Sequence, residues 1–234
     1  MKSNSLQRLT GGLLILEGLL IFVPTIILGA AINWPQSLDQ PASVNLPLIL
    51  AQSGAVNAGY FAYLIYSILF FVVILLLARM VAGGETFNSV LKAAVGLAAL
   101  SALARSIGIV RWLSAMPILA RLYTEGSPET QATVAVVYDA INAYGGTIGE
   151  ALGVGLFAGL AMFALVIAMW RTPTMPKWLT LFALIAAVAV TLQTLALFGV
   201  DMGALITVLV AVLQFWFLAA GAYFIRGSLL AEAK

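Results

Sequence analysis

Residues 145–171 read GGTIGEALGVGLFAGLAMFALVIAMWR, and this stretch decides the fold. From Gly146 to Trp170 it offers 25 residues with one charge, Glu150, which is the length and polarity of a transmembrane helix. Trp170 stands where the aromatic belt of a bilayer is expected. Gly145, Gly149 and Gly153 recur every four residues, and Gly155 and Gly159 repeat the spacing on a second stripe. Small residues at that spacing let two membrane helices approach closely. Close approach would also shield Glu150 from lipid and bring a partner to it.

The rest of the chain agrees with a lipid solvent. Its 234 residues are 63% hydrophobic and 9% charged, with a mean hydropathy of +1.09. Soluble domains are about 45–50% apolar and about a quarter charged. A water-soluble fold cannot hide this much apolar surface. No hydrophilic stretch is long enough for a second domain, so residues 1–234 are expected to form one integral membrane domain. Cys and His are absent. Thiolate and imidazole metal sites, His-ligated haem, Cys or His nucleophiles and disulfides are therefore excluded. Nothing points to a cofactor, and a net charge of +2 gives no reason to expect nucleic acid.

Six segments meet the length rule: 10–32, 55–80, 88–112, 146–170, 177–199 and 203–225. An all-α bundle of six transmembrane helices follows. Trp34-Pro35 closes the first, Gly83-Gly84 separates the second from the third, and the run from Thr172 to Pro176 turns the fourth into the fifth. Lys2 and Arg8 precede an apolar run in the manner of a signal peptide. That run is too long and is interrupted by Glu17, so the first helix is read as retained. Lys2, Arg8, Arg79, Lys92, Arg171, Lys177, Arg226 and Lys234 fall on one side of this layout, against Arg111 and Arg121 in the opposite loops. The asymmetry places both termini in the cytoplasm.

The two long connections, 33–54 and 113–145, then face outward. Ser127-Pro128-Glu129 reads as an N-cap, a proline at the first helical position and an acid in the first turn. A helix running unbroken from there to Trp170 would be about 64 Å long, twice a bilayer core. Gly145-Gly146 is the expected break, which leaves 128–144 as a short outer, interfacial helix that hinges into span four. Leu46 to Leu50, interrupted by Pro47, is expected to lie on the outer surface in the same way. No repeat relates the first three spans to the last three, so a repeat-built transporter gains no support.

Glu17, Arg105 and Glu150 are the ionisable residues inside spans, with Asp139 close by. Each costs a few kcal/mol or more at mid-membrane unless paired or wetted. Arg105 lies 13 residues beyond Lys92, about 20 Å from the cytoplasmic face, and Glu150 lies 21 residues before Arg171, about 30 Å from it. Arg snorkels by several ångströms, so an Arg105–Glu150 pair in the outer half is feasible. Asp139 and Glu150 are 11 residues apart and share a face if the helix is continuous. Ser101, Arg105, Gly108 and Trp112 form one stripe on the third span, and Ser53, Asn57, Tyr60 and Ser67 form another on the second. Gln193, Thr194 and Asp201 add polar groups from the last two spans. One reading makes the Arg105–Glu150 pair a lock between two helices. The other makes it the centre of an outward-facing polar pocket, and a third leaves both residues facing headgroups. Glu17, near the middle of the first span and close to Pro24, either donates a structural hydrogen bond or titrates. Gln214 in the sixth span reads as a link between helices.

The run TPTMPKWLTLFALIAAVAVTLQTLALFG (172–199), with LQFWFLAAGAYFIRG (213–227), resembles a bacterial multi-pass membrane family known only as a domain of unknown function, numbered four-three-eight-six. Pro176-Lys177-Trp178-Leu179-Thr180 and Ile225-Arg226-Gly227 carry the likeness. The family pattern implies an Arg followed three residues later by Glu in the third span, and a Gln-Glu pair in the last. Here those acids are replaced by Gly108 and Phe215, which makes Glu150 the expected partner of Arg105. The resemblance implies a bacterial inner membrane and an unassigned function.

Enzyme templates are not met. The chain lacks a Gly-x-Ser-x-Gly elbow, an Asp-rich pair for a diphosphate and a mid-span Lys. Tyr138-Asp139 resembles half of an intramembrane aspartyl protease site, and Gly199-Val200-Asp201 does not complete it. Two non-enzymatic functions remain. The first is binding or transport of a small or lipophilic molecule by Arg105, Glu150, Asn57, Tyr60 and Asp139. The second is a structural or accessory subunit that packs on a membrane partner or a second copy through its glycine stripes. In both, the lipid bilayer is the surrounding partner.

Overall fold

The computed structural model describes residues 3–200, 202–203 and 205–232, so Lys2, Asp201 and Lys234 lie outside the described residues. The helices run in the order α1 (Ser3–Leu20), α2 (Phe22–Ile32), α3 (Ala42–Ala51), α4 (Ser53–Ala82), α5 (Ser89–Leu113), α6 (Ala115–Glu125), α7 (Pro128–Gly146), α8 (Gly159–Arg171), α9 (Lys177–Thr191) and α10 (Leu205–Glu232). Short 3₁₀ turns occupy Gln36–Asp39 and Leu192–Phe198, and a π-helix, Thr147–Ala158, joins α7 to α8. Among the described residues, six helices are long and apolar enough to cross a membrane: Asn4–Ile32, Ser53–Ala82, Ser89–Glu125, Pro128–Arg171, Lys177–Phe198 and Leu205–Gly227. Each expected span falls on one of them.

Local chemistry sets the boundaries. Pro24 has no N–H for the carbonyl of Leu20, and the first span breaks at Ile21 into α1 and α2. Gly83 and Gly84 take φ of 61° and 97° in the turn between α4 and α5, and the Asn88 side chain then caps α5 by accepting from the Leu91 N–H at 3.0 Å. Ser127 caps α7 by accepting from the Thr130 N–H at 3.4 Å, with Pro128 at the first position, as its sequence requires.

The chain departs from expectation at Gly145-Gly146. There is no break: helical winding continues from Pro128 to Arg171, opening into π turns after Gly146. The two glycines serve contact rather than bending. A Cβ on Gly145 would lie 2.5 Å from Cδ of Arg111, so this position needs glycine to seat that side chain. The half of the long helix before Gly146 is covered by α3 and α6. The helix α6, in a stretch read as a connection, buries Met116, Leu119 and Ala120. The segment around Pro47 is helical as α3 and buries Asn45, Leu46 and Ile49.

Two apolar cores are stacked along the bundle. One joins α1, α4, α5 and α8 to α10 through residues such as Leu14, Phe70, Leu165 and Trp216. The other joins α2 and α3 to α6 and α7 and the outer parts of α4 and α5 through Leu28, Leu46, Trp112 and Tyr138. Between them lies a polar layer. Glu17 falls between Leu14 and Leu28, Tyr66 and Ser67 between Tyr60 and Phe70, and Ser101 and Arg105 between Ala98 and Ile109.

The glycine stripes are filled within the chain. Gly149 faces Gly108 of α5, with its absent Cβ 3.2 Å from the Gly108 Cα, and a Cβ on Gly155 would meet Thr194 at 3.0 Å. Along the other seam α1 runs antiparallel to α10, with Gly11 beside Ile225 and Gly18 beside Leu218. These contacts predict that Gly108→Ala destabilises the fold by about 1–3 kcal/mol, because overpacking against rigid backbone has no cheap relief. Its Cβ would sit 2.8 Å from the Gly145 carbonyl oxygen. Gly96→Ala, in the same helix with open space around it, should be neutral or slightly stabilising. Thermal unfolding in detergent separates the two, and equal effects would contradict the close seam.

Candidate functional site

The site grows from the seam between α5 and residues 145–153. Three contacts follow one another along it: Arg111 beside Gly145, Gly108 against Gly149, and Arg105 beside Gly153, whose Cβ would lie 2.8 Å from the Arg105 Cγ. The Ser101 hydroxyl closes the seam by donating to the Gly153 carbonyl at 2.7 Å. Opposite it, α4 contributes Tyr60, Tyr63 and Tyr66. Trp34 and Leu38 come from the segment after α2. Of these residues Trp34, Leu38, Tyr60, Tyr63, Arg105 and Arg111 line, with Glu150, a cavity of ≈ 20 Å³, room for about one or two water molecules.

The wall of the cavity away from Arg105 is aromatic and tied down. Tyr60 stacks on Trp112 with centroids 4.8 Å apart, and Trp34 meets Tyr63 edge-on at 5.9 Å. Arg111 donates to the Gly108 carbonyl at 2.8 Å and to Asn142 Oδ1 at 3.2 Å. Asn142 in turn donates to the Leu38 carbonyl at 2.8 Å. Asn45 Nδ2 donates to the Ser37 carbonyl and to the Tyr138 hydroxyl, and that hydroxyl donates to the Gln40 carbonyl at 3.3 Å. The 33–41 segment is thereby held over the site from both α3 and α7.

Through Arg105 the cavity borders the polar layer. Arg105, only 4% exposed, lies with Cζ 4.6 Å from the Tyr66 ring centroid and 5.5 Å from that of Phe70. Such cation–π contacts stabilise a desolvated guanidinium by up to about 2 kcal/mol. The Tyr66 hydroxyl accepts from Gln214 Nε2 at 2.7 Å, which gives Gln214 the interhelical role read from the sequence. Glu17 is fully buried in this layer, and neither of its carboxyl oxygens has a hydrogen-bond partner.

Arg105, Glu150 and Tyr60 do line one cavity. The expected Arg105–Glu150 ion pair does not form, and among the described residues neither Arg111 with Glu150 nor Arg105 with Glu17 forms one; the cationic influence on Glu150 comes from Arg111 and that on Glu17 from Arg105. Arg111, counted with the loops although it falls inside the expected span 88–112, is a half-buried side chain of α5 that lines the same cavity as Glu150. Asn57 is exposed and away from the cavity, because the inward face of α4 there is Val56, Gly59 and Tyr60. Asp139 is exposed as well: the inward position of α7 is its neighbour Tyr138, and the π turns that follow alter the phase on which a shared face with Glu150 depended. Ser53 is exposed with Asn57.

Sequence reasoning missed Arg111, Trp34, Tyr63, Tyr66 and Asn45. One signal was available, the spacing of Tyr60, Tyr63 and Tyr66 at successive i, i+3 positions on one helix face. The arrangement can offer guanidinium and phenol donors and one carboxylate to a small polar group. A family model described as Domain of unknown function (DUF4386) matches residues 9–222, and the chain belongs to that family. No curated protein and no solved structure matches the chain.

Proposed function

In this member of a membrane family of unknown function, we propose that the six-helix domain binds a small molecule by an anionic or carbonyl group in the cavity beneath the 33–41 segment. One observation supports the reading above others: two guanidinium-bearing residues, Arg105 and Arg111, line a single cavity against one carboxylate, Glu150. Guanidinium forks match planar carboxylates in two parallel hydrogen bonds. The small volume favours a carboxylate-sized group over a lipophilic molecule. The helices α3, α6 and α7 lie at the end of the bundle opposite Arg79, Lys92, Arg171 and Lys177, and this distribution of positive charge supports a cavity that faces outward.

Formate is a suitable probe of the anion site. It is expected to raise the unfolding temperature of the purified protein, by about 2.7 kcal/mol of stability at a hundred times its dissociation constant. Arg105→Ala and Arg111→Ala should each remove that response. If the Arg105→Ala protein is stabilised as much as the parent, the site is elsewhere. Orientation is tested separately, since the chain has no Cys of its own. A membrane-impermeant maleimide should label Glu129→Cys on intact cells and Glu85→Cys only after lysis. The reverse pattern would turn the cavity toward the cytoplasm.

A further inference from the structure

Three residues that line the cavity each carry a buried donor with no acceptor: the Tyr60 hydroxyl, Nε of Arg105 and Nε of Arg111. Tyr60 and Arg105 are 1% and 4% exposed, so bulk water does not serve them. Their side chains are fixed by contacts on other atoms. The Tyr60 ring stacks on Trp112, and the Arg105 guanidinium lies over Tyr66 and Phe70. Arg111 commits its two terminal nitrogens to the Gly108 carbonyl and to Asn142, which leaves Nε unmet. Glu150 lines the same cavity and accepts from none of the three. Buried donors without acceptors are rare in folded proteins, and three around one cavity point to a missing acceptor.

Donor count and charge together define what fits. One water or one neutral carbonyl oxygen has two lone pairs, fewer than three donors require, and water also has hydrogens of its own to place. A carboxylate has about four acceptor sites and no hydrogen. Two guanidinium groups against one carboxylate also leave a single positive charge unmatched in the cavity, with no ion pair formed among the described residues. A singly charged anion balances that charge, and a doubly charged one overshoots it beside Glu150. The volume of ≈ 20 Å³ suits a carboxylate better than the bulkier sulfate. We infer that the ligand is anchored by a singly charged carboxylate, held jointly by Tyr60, Arg105 and Arg111. In this assignment the Tyr60 hydroxyl selects a carboxylate over a neutral carbonyl, and Glu150 rejects a second negative charge. The inference rests on the binding reading given above and narrows it to one ligand class.

The test uses the full chain in detergent with formate as the probe, its C–H proton read by saturation-transfer NMR. Formamide has nearly the same size and no charge, while sulfate carries a second charge. In competition with formate on the parent protein, each should bind at least about tenfold more weakly. Tyr60→Phe keeps the ring on Trp112 and removes only the donor, so it should weaken formate binding about ten- to a hundredfold. Glu150→Gln removes a like charge and should tighten it roughly tenfold, a gain that damage to the fold does not produce. Equal formate binding by the parent and Tyr60→Phe, or displacement by formamide or sulfate as effective as by formate itself, would overturn the inference and leave the cavity as a binding site of another class. Weaker or unchanged binding by Glu150→Gln would overturn it as well. A parent that binds no formate, like its Arg105→Ala variant, would mean that water alone fills the cavity, and the binding reading falls with the inference.

Discussion

The approach of α5 to the glycine run at 145–153 is the constraint from which the rest follows. Glycine faces glycine at its centre, with a Cβ on Gly108 excluded by the Gly149 Cα at 2.8 Å. An arginine lies beside a glycine on either side of that point. Lipid supplies no hydrophobic drive for helices to meet, so contact of this closeness must come from dispersion between backbones and from hydrogen bonds such as Ser101 to Gly153. The π winding of Thr147–Ala158 belongs to the same seam, since the ladder of Gly145, Gly149 and Gly153 stays on one line facing α5.

That seam places two arginines at different depths, and the electrostatic influence of each falls on a different acid, Arg111 on Glu150 and Arg105 on Glu17, with no ion pair formed among the described residues. Arg111 is braced by Asn142 and the Trp112 ring, whose centroid is 5.3 Å from its Cζ. Arg105, further along the seam, is braced by Tyr66 and Phe70. Buried charges cost several kcal/mol each when unpartnered, and aromatic faces offset only part of that. A layer of this kind between two apolar cores adds little to stability. It is better suited to responding when one of its charges is met by something new.

Much of the architecture was legible in the sequence because its signals are strong and local. Six apolar runs of the right length, the Ser127-Pro128 cap and the close-packing glycines all appear in the structure where their chemistry puts them. Arg105, Tyr60 and Glu150 also come together as spacing suggested. What failed depended on phase and on helix ends. A glycine pair reads equally as a hinge or as a contact, and nothing local says that Gly145 makes room for Arg111. Asn57 and Asp139 each sit one residue beyond an inward position, a register that only the packed neighbour fixes. The missing Arg105–Glu150 ion pair could not be read either, because Arg111, six residues further along α5, lines the same cavity beside Glu150.

Double-mutant cycles on unfolding free energy test the assignment of charges most directly. Neutralising Glu17 and Arg105 to Gln, singly and together, should reveal a coupling of about 0.5–3 kcal/mol, and the Glu150–Arg111 cycle should do the same. The crossed cycle, Glu150 with Arg105, should be additive within about 0.5 kcal/mol. A large coupling in the crossed cycle with none between Glu17 and Arg105 would restore the single Arg105–Glu150 bridge and remove the two-level layer.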